Sequence, residues 1–115
     1  MNTIENNKLI AEFLGQTKMP YEFPQFGYIN TNGDWDDTFF DNQLKFHSNW
    51  NWLMKVVNKI DKLELNGKTY AVDIYQSGCQ IFEYGNYNNE IITTISDTRL
   101  EATYKAVVEF IKLKL

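Results

Sequence analysis

The sequence predicts an α+β domain: a two-layer sandwich in which an antiparallel sheet of about three strands lies against helices. Three observations predict it. Apolar residues recur at spacings of three and four in Thr3–Leu14, after Ser48-Asn49 and after Thr98, the period of amphipathic helices. Between the second and third of these stretches, Lys68–Gln76, Cys79–Tyr84 and Glu90–Ile95 are rich in β-branched and aromatic residues and are joined by short polar connections, which suit an antiparallel meander. Finally, 115 residues with 8 Phe, 7 Tyr and 3 Trp are enough for one domain with a filled core, and no second domain is expected.

In chain order, the first helix carries the i,i+4 pairs Leu9–Phe13 and Ile10–Leu14, and Gly15 is placed to end it in the left-handed conformation. Gln16–Phe26 contains both prolines, Pro20 and Pro24, which favour extended geometry in the residues before them; Tyr21, Phe23 and Phe26 are expected to pin it to the core. Phe26–Ile29 reads as a short strand, Asn32-Gly33 as a hairpin-turn signal and Thr38–Phe46 as the return strand. This N-terminal hairpin could extend the main sheet.

The most strongly patterned stretch is the central helix. Leu53, Val56, Val57, Ile60 and Leu63 fall on one stripe, and Lys55, Asn58, Lys59, Asp61 and Lys62 lie mainly on the other side. Ser48 or Asn49 can cap its first turn. Trp50 and Trp52 point about 200° apart, so one should anchor the core and the other lie at its edge. Asn66-Gly67 offers a helix cap or a tight turn. In Lys68–Gln76, Tyr70, Val72 and Ile74 alternate with Thr69, Ala71, Asp73 and Tyr75, as in a half-buried strand. Thr98-x-x-Glu101 fits a capping box for the last helix, whose stripe runs through Leu100, Tyr104, Val107, Val108, Ile111 and Leu115.

Composition narrows the functional classes. A net charge of −4 supplies no global attraction for nucleic acid or an anionic membrane and favours a basic protein partner. Direct nucleic-acid binding is not expected, because the strands carry aromatics but, beyond Lys68, no basic residue. Cys79 is the single cysteine and His47 the single histidine; an intramolecular disulfide, a cysteine cluster and a two-histidine metal site are therefore excluded. Cys79 is expected in the core, and His47 as a capping or partly buried residue. The six glycines stand at turns and helix ends, and none forms a phosphate loop. No membrane span and no leader are read, which points to the cytoplasm.

Asn30–Asp37 invites a calcium reading. It fails: with Gly33 at the sixth place of an EF-hand loop, Tyr28 and Phe39 occupy places that need carboxylates. No cofactor or metal is expected. Trp35 within this acidic loop is either tucked into the core or presented as a partner anchor.

The segments Leu9–Gly15, Leu44–Ile60 and Ala106–Lys112, and above all Ser48-Asn49-Trp50-Asn51-Trp52-Leu53-Met54, resemble a family of small uncharacterised proteins of phages, prophages and mobile elements of Bacteroidetes-type bacteria. The resemblance implies a bacterial-cytoplasmic setting and stoichiometric action on host machinery, such as restriction or CRISPR systems; it implies no catalytic residue. The expectation is a non-enzymatic protein-binding module, an inhibitor of a host protein or ribonucleoprotein such as a CRISPR nuclease, that contacts its partner through Asp34, Trp35, Asp36, Asp37 and Tyr87. The alternative is a small-ligand binder, for instance a nucleotide sponge. Homo-oligomerisation through an edge tryptophan is a further option.

Overall fold

The computed structural model describes residues 2–18, 25–29, 35–84 and 90–115. Among these residues three α-helices, α1 (Thr3–Phe13), α2 (Trp50–Lys62) and α3 (Arg99–Lys114), accompany seven strands: β1 (Thr17–Lys18), β2 (Gln25–Ile29), β3 (Trp35–Phe40), β4 (Glu64–Leu65), β5 (Lys68–Tyr75), β6 (Gly78–Glu83) and β7 (Glu90–Ile95). The strands make two antiparallel sheets, ordered β1-β2-β3 and β4-β5-β6-β7. The expected α+β architecture is present, with helices packed on the larger sheet. The N-terminal hairpin forms a sheet of its own rather than extending that one.

Each helix is ended by local chemistry. Asn2 accepts from the Glu5 amide at 3.1 Å to start α1. Gly15, at φ +88°, closes it: the Gly15 and Gln16 amides donate back to the carbonyls of Glu12 and Ala11, a Schellman end. Asn49, not Ser48, caps α2, its side-chain oxygen accepting from Asn51 and Trp52. Thr98 caps α3 through the Glu101 amide at 3.1 Å. The Glu101 carboxylate pairs with Lys105 at 3.1 Å.

Asn66-Gly67 is the tight turn, not a helix cap. Both residues have positive φ, 53° and 79°, and they join Leu65 to its ladder partner Lys68; this is the Asn-Gly preference of a type I′ hairpin. On β5, Tyr70 is buried and Val72 and Ile74 pack against the core, whereas Thr69, Asp73 and Tyr75 are exposed. The alternation thus sets the face. In the ladder Val72 stands opposite Ile81 and Ile74 opposite Cys79, while Ile92 and Thr94 stand opposite Ile81 and Cys79 from the other side. This face meets α2 and α3, and α1 packs against α3.

The shared core contains Ile10, Leu44, Phe46, Leu53, Val56, Ile60, Ile81, Val107 and Phe110, each no more than 1% exposed. Tyr70 meets Phe110 edge-on at 5.1 Å. At about 25 cal/mol per Å² of buried apolar surface, such side chains supply most of the stabilisation. Asp61 ties α2 to the sheet by accepting from the Val72 amide at 3.1 Å. Burial lifts its carboxyl above the ordinary value, and the amide partly offsets this.

The two tryptophans divide as their spacing requires. Trp52 lies between Phe39, at 4.8 Å, and Phe46, at 5.2 Å, with edge-on rings. Trp50, at the first position of α2, is 37% exposed. Phe39 belongs to β3 and Phe46 to the core, so Trp52 is, among the described residues, an aromatic link between the small sheet and the body.

Candidate functional site

Three regions bear on function, and the expected partner-binding residues fall in the first. Asp34 and Tyr87 lie outside the described residues. Trp35, Asp36 and Asp37 do not sit in a loop: they open β3, with Trp35 opposite Ile29 and Asp36 opposite Tyr28. The return strand therefore starts before the expected Thr38 and ends at Phe40, where Asp41–Gln43 make a single 3-10 turn. The physical reason is that turn signals extend only to Gly33-Asp34, whereas Trp35 favours a pleated ladder. At the far end, the Gln43 side chain accepts from the Phe40 amide at 2.9 Å and terminates the strand.

Charge singles this region out. From residue 19 to residue 44 the chain carries five carboxylates, Glu22, Asp34, Asp36, Asp37 and Asp41, seven aromatics and no lysine or arginine. The other residues carry ten acidic and eleven basic side chains. The whole negative balance of the protein therefore belongs to the segment that builds β2 and β3. This segregation was readable in the sequence once charge was counted by segment.

The second region surrounds His47. The Asn7 side chain, 2% exposed, donates to the Leu44 carbonyl at 3.0 Å, lies 2.9 Å from His47 Nδ1 and accepts from the Tyr104 hydroxyl at 3.0 Å. A carbonyl can only accept, so the Asn7 NH2 group must face Leu44, and with it His47 Nδ1. Nδ1 is then the acceptor, and the neutral ring carries its proton on Nε2. Burial pushes the Tyr104 hydroxyl up to about 12.

This arrangement locks α1, the Leu44–His47 segment and α3 together. It also limits His47 chemically. Nδ1 is occupied and Nε2 is a donor, which is opposite to what a general base or a metal-binding nitrogen presents. Depressions of about 460 Å³ flank the ring, one lined by Thr3, Glu101, Tyr104 and Lys105 and the other by Phe39, Asn42–Lys45 and Ser48. In the first, Lys105 is bonded to Glu101 and to Ser96 Oγ; hydrogen bonds from Lys105 and Ser96 to the Glu101 carboxylate, with the Lys105 charge, hold that carboxyl below its usual range.

Cys79 is fully buried, as expected of a core cysteine. Burial is the main cause that pushes its thiol up to about 11, with Asp73 adding to it and a hydrogen bond with Thr103 opposing; such a thiol is a poor nucleophile at neutral pH. No group of three metal-ligating side chains converges among the described residues. No helix among them is long and apolar enough to cross a membrane.

The third region is a groove of about 660 Å³ where the C-terminal ends of the three helices converge, lined by Leu9, Glu12, Phe13, Lys59, Leu63, Ile111, Lys112 and Leu115. Lys59 Nζ donates to the Phe13 carbonyl and lies 4.8 Å from the centre of the Phe13 ring. Sequence reasoning placed the apolar members, Leu9, Phe13, Leu63, Ile111 and Leu115, on core stripes and Lys59 on the polar side of its helix. It missed that the stripes diverge at the helix ends and leave a trough.

Compared with known proteins, the chain matches no family model, no curated protein and no solved structure.

Proposed function

We propose that the protein is a non-enzymatic binding module that acts stoichiometrically on a host protein, and that the β1-β2-β3 sheet is its contact arm. The observation that carries this reading is the segregation of charge: five carboxylates and seven aromatics without a basic residue between 19 and 44, in a segment whose strands form a separate sheet. A segment that carries carboxylates and no lysine or arginine of its own attracts a basic surface and accelerates encounter, and aromatic side chains supply the anchors that dominate interface energies. The partner is accordingly a protein with a basic face. Nucleic-acid-handling host proteins, among them the defence nucleases suggested by the phage-family resemblance, have such faces. The donor state of His47 Nε2 and the raised Cys79 thiol support the non-enzymatic part of the reading.

The test is a tagged pull-down from a related bacterial lysate at low and high salt, with Trp35→Ala and with Asp34, Asp36 and Asp37 all changed to Asn. The expected result is one stoichiometric protein that is retained at low salt, weakened by the triple change and lost with Trp35→Ala. Equal retention by all three forms would overturn the assignment of the arm. Co-purification of a small nucleotide instead would favour a ligand sponge.

A further inference from the structure

The groove at the helix ends combines an apolar floor with charged rims. Its floor is apolar, made by Leu9, Phe13, Leu63, Ile111 and Leu115, and Leu115 remains 64% exposed. Two cations stand over that floor. Lys59 is half-buried and held in place by the Phe13 carbonyl and ring, which occupies one of its three donors. Lys112, on α3, has no hydrogen-bond or ion-pair partner among the described residues. One carboxylate, Glu12, lies on the α1 wall.

We propose that this groove is a binding site for a single-chain amphiphile with an anionic head, of the class of long-chain carboxylates. The chain lies on the apolar floor, and the head meets Lys59 and Lys112. A cation already immobilised loses little freedom on capturing an anion, and a groove of about 660 Å³ is within the range of small-molecule sites. A second copy of the chain is the competing occupant: across a two-fold axis Lys112 of one copy can meet Glu12 of the other, and dissociation of such a dimer by dodecanoate separates the two. The proposal is independent of the hairpin arm and does not involve Trp35.

Isothermal titration of the full chain with octanoate, decanoate and dodecanoate, each below its micelle concentration, provides the test. Affinity is expected to rise about fourfold for each methylene buried. Dodecyltrimethylammonium should bind about tenfold more weakly than dodecanoate, because the head charge is reversed. Lys112→Glu, an exposed substitution that leaves the core intact, should weaken dodecanoate about fivefold, and Glu12→Gln should tighten it about twofold. Methyl resonances of Leu9, Leu63, Ile111 and Leu115 should shift on binding. Equal affinity for both head charges, or indifference to Lys112→Glu, would overturn the site and leave only a sticky apolar patch. A dimer that dodecanoate does not dissociate and that Leu115→Asp abolishes would make a second copy the occupant, and would equally overturn it.

Discussion

The two sheets of this protein are built from the same antiparallel hydrogen bonding but are stabilised in different ways. The β4-β5-β6-β7 sheet carries helices on one face, and its register places Tyr70, Val72, Ile74, Cys79, Ile81 and Ile92 on that face. The β1-β2-β3 sheet contributes Phe39 to Trp52 and includes Asp36 and Asp37. The larger sheet is therefore where burial supplies stability, and the smaller is the one proposed to meet a partner. An isolated two-stranded hairpin is only marginally stable and β1 adds just two residues to this one, so the small sheet must draw its order from docking.

The comparison predicts that substitutions in the body cost stability and substitutions in the small sheet mainly cost interaction. The largest effect is expected at Phe110, which is fully buried and stacked edge-on against Tyr70. Phe110→Ala should lower the unfolding free energy by about 3–5 kcal/mol, measured by urea denaturation. A loss below about 1 kcal/mol would mean that the core is far looser than its burial implies.

Next comes Asn7→Ala. It removes three bonds from one buried amide, leaves the Leu44 carbonyl and His47 Nδ1 without their partner, and leaves the Tyr104 hydroxyl only the longer 3.5 Å bond to the Thr3 carbonyl. Unsatisfied buried groups cost about 1–3 kcal/mol each, less where water can enter; about 3 kcal/mol in all is the expected loss. His47→Ala, at the exposed end of the network, should cost less than half as much.

Alkaline titration should reveal the same core. The Cys79 and Tyr104 groups ionise near 9 and 10 when unfolded and at about 11 and about 12 when folded. Both folded values are raised, so the unfolded state loses these protons first. Stability from Cys79 is complete below pH 9 and lost as pH rises through 11; that from Tyr104 is complete below pH 10 and lost through 12. Each contributes on the order of 2 kcal/mol. Melting temperature should fall above pH 9, and Cys79→Ala and Tyr104→Phe should each flatten their own part of the decline.

How much of this was legible in the sequence follows the same division. In the body, a helix stripe such as Leu53-Val56-Val57-Ile60 and an alternation such as Tyr70-Val72-Ile74 are local patterns with one burial solution, and both elements form where those patterns lie. Asn66-Gly67 left two outcomes open because the same residue types end helices and make I′ turns; the ladder between Leu65 and Lys68 decides it. In the small sheet, alternation over Thr38–Phe46 was imperfect, and the strand lies earlier, at Trp35–Phe40. The Asn7 network could not be read at all. It joins residues 37 to 97 positions apart, and nothing local distinguishes Asn7 from the exposed asparagines. The groove was likewise hidden, because each of its walls looked like an ordinary core stripe.

The smallest global effect, and the sharpest test of the comparison, belongs to Phe39. Its ring meets Trp52 at 4.8 Å, and it is the described aromatic contact through which β3 docks on the body. Phe39→Ala should cost about 1–2 kcal/mol, but the loss should be regional. Amide hydrogen exchange, which resolves local opening from global unfolding, should speed up in Gln25–Ile29 and Trp35–Phe40 while Lys68–Tyr75 and Gly78–Glu83 keep their wild-type protection. Equal acceleration in both sheets would mean that they unfold as one cooperative unit, and the arm would then be part of the body in energetic terms as well as in sequence. Acceleration confined to the small sheet would show that a single aromatic hinge, Phe39 on Trp52, decides how firmly the acidic strands are presented.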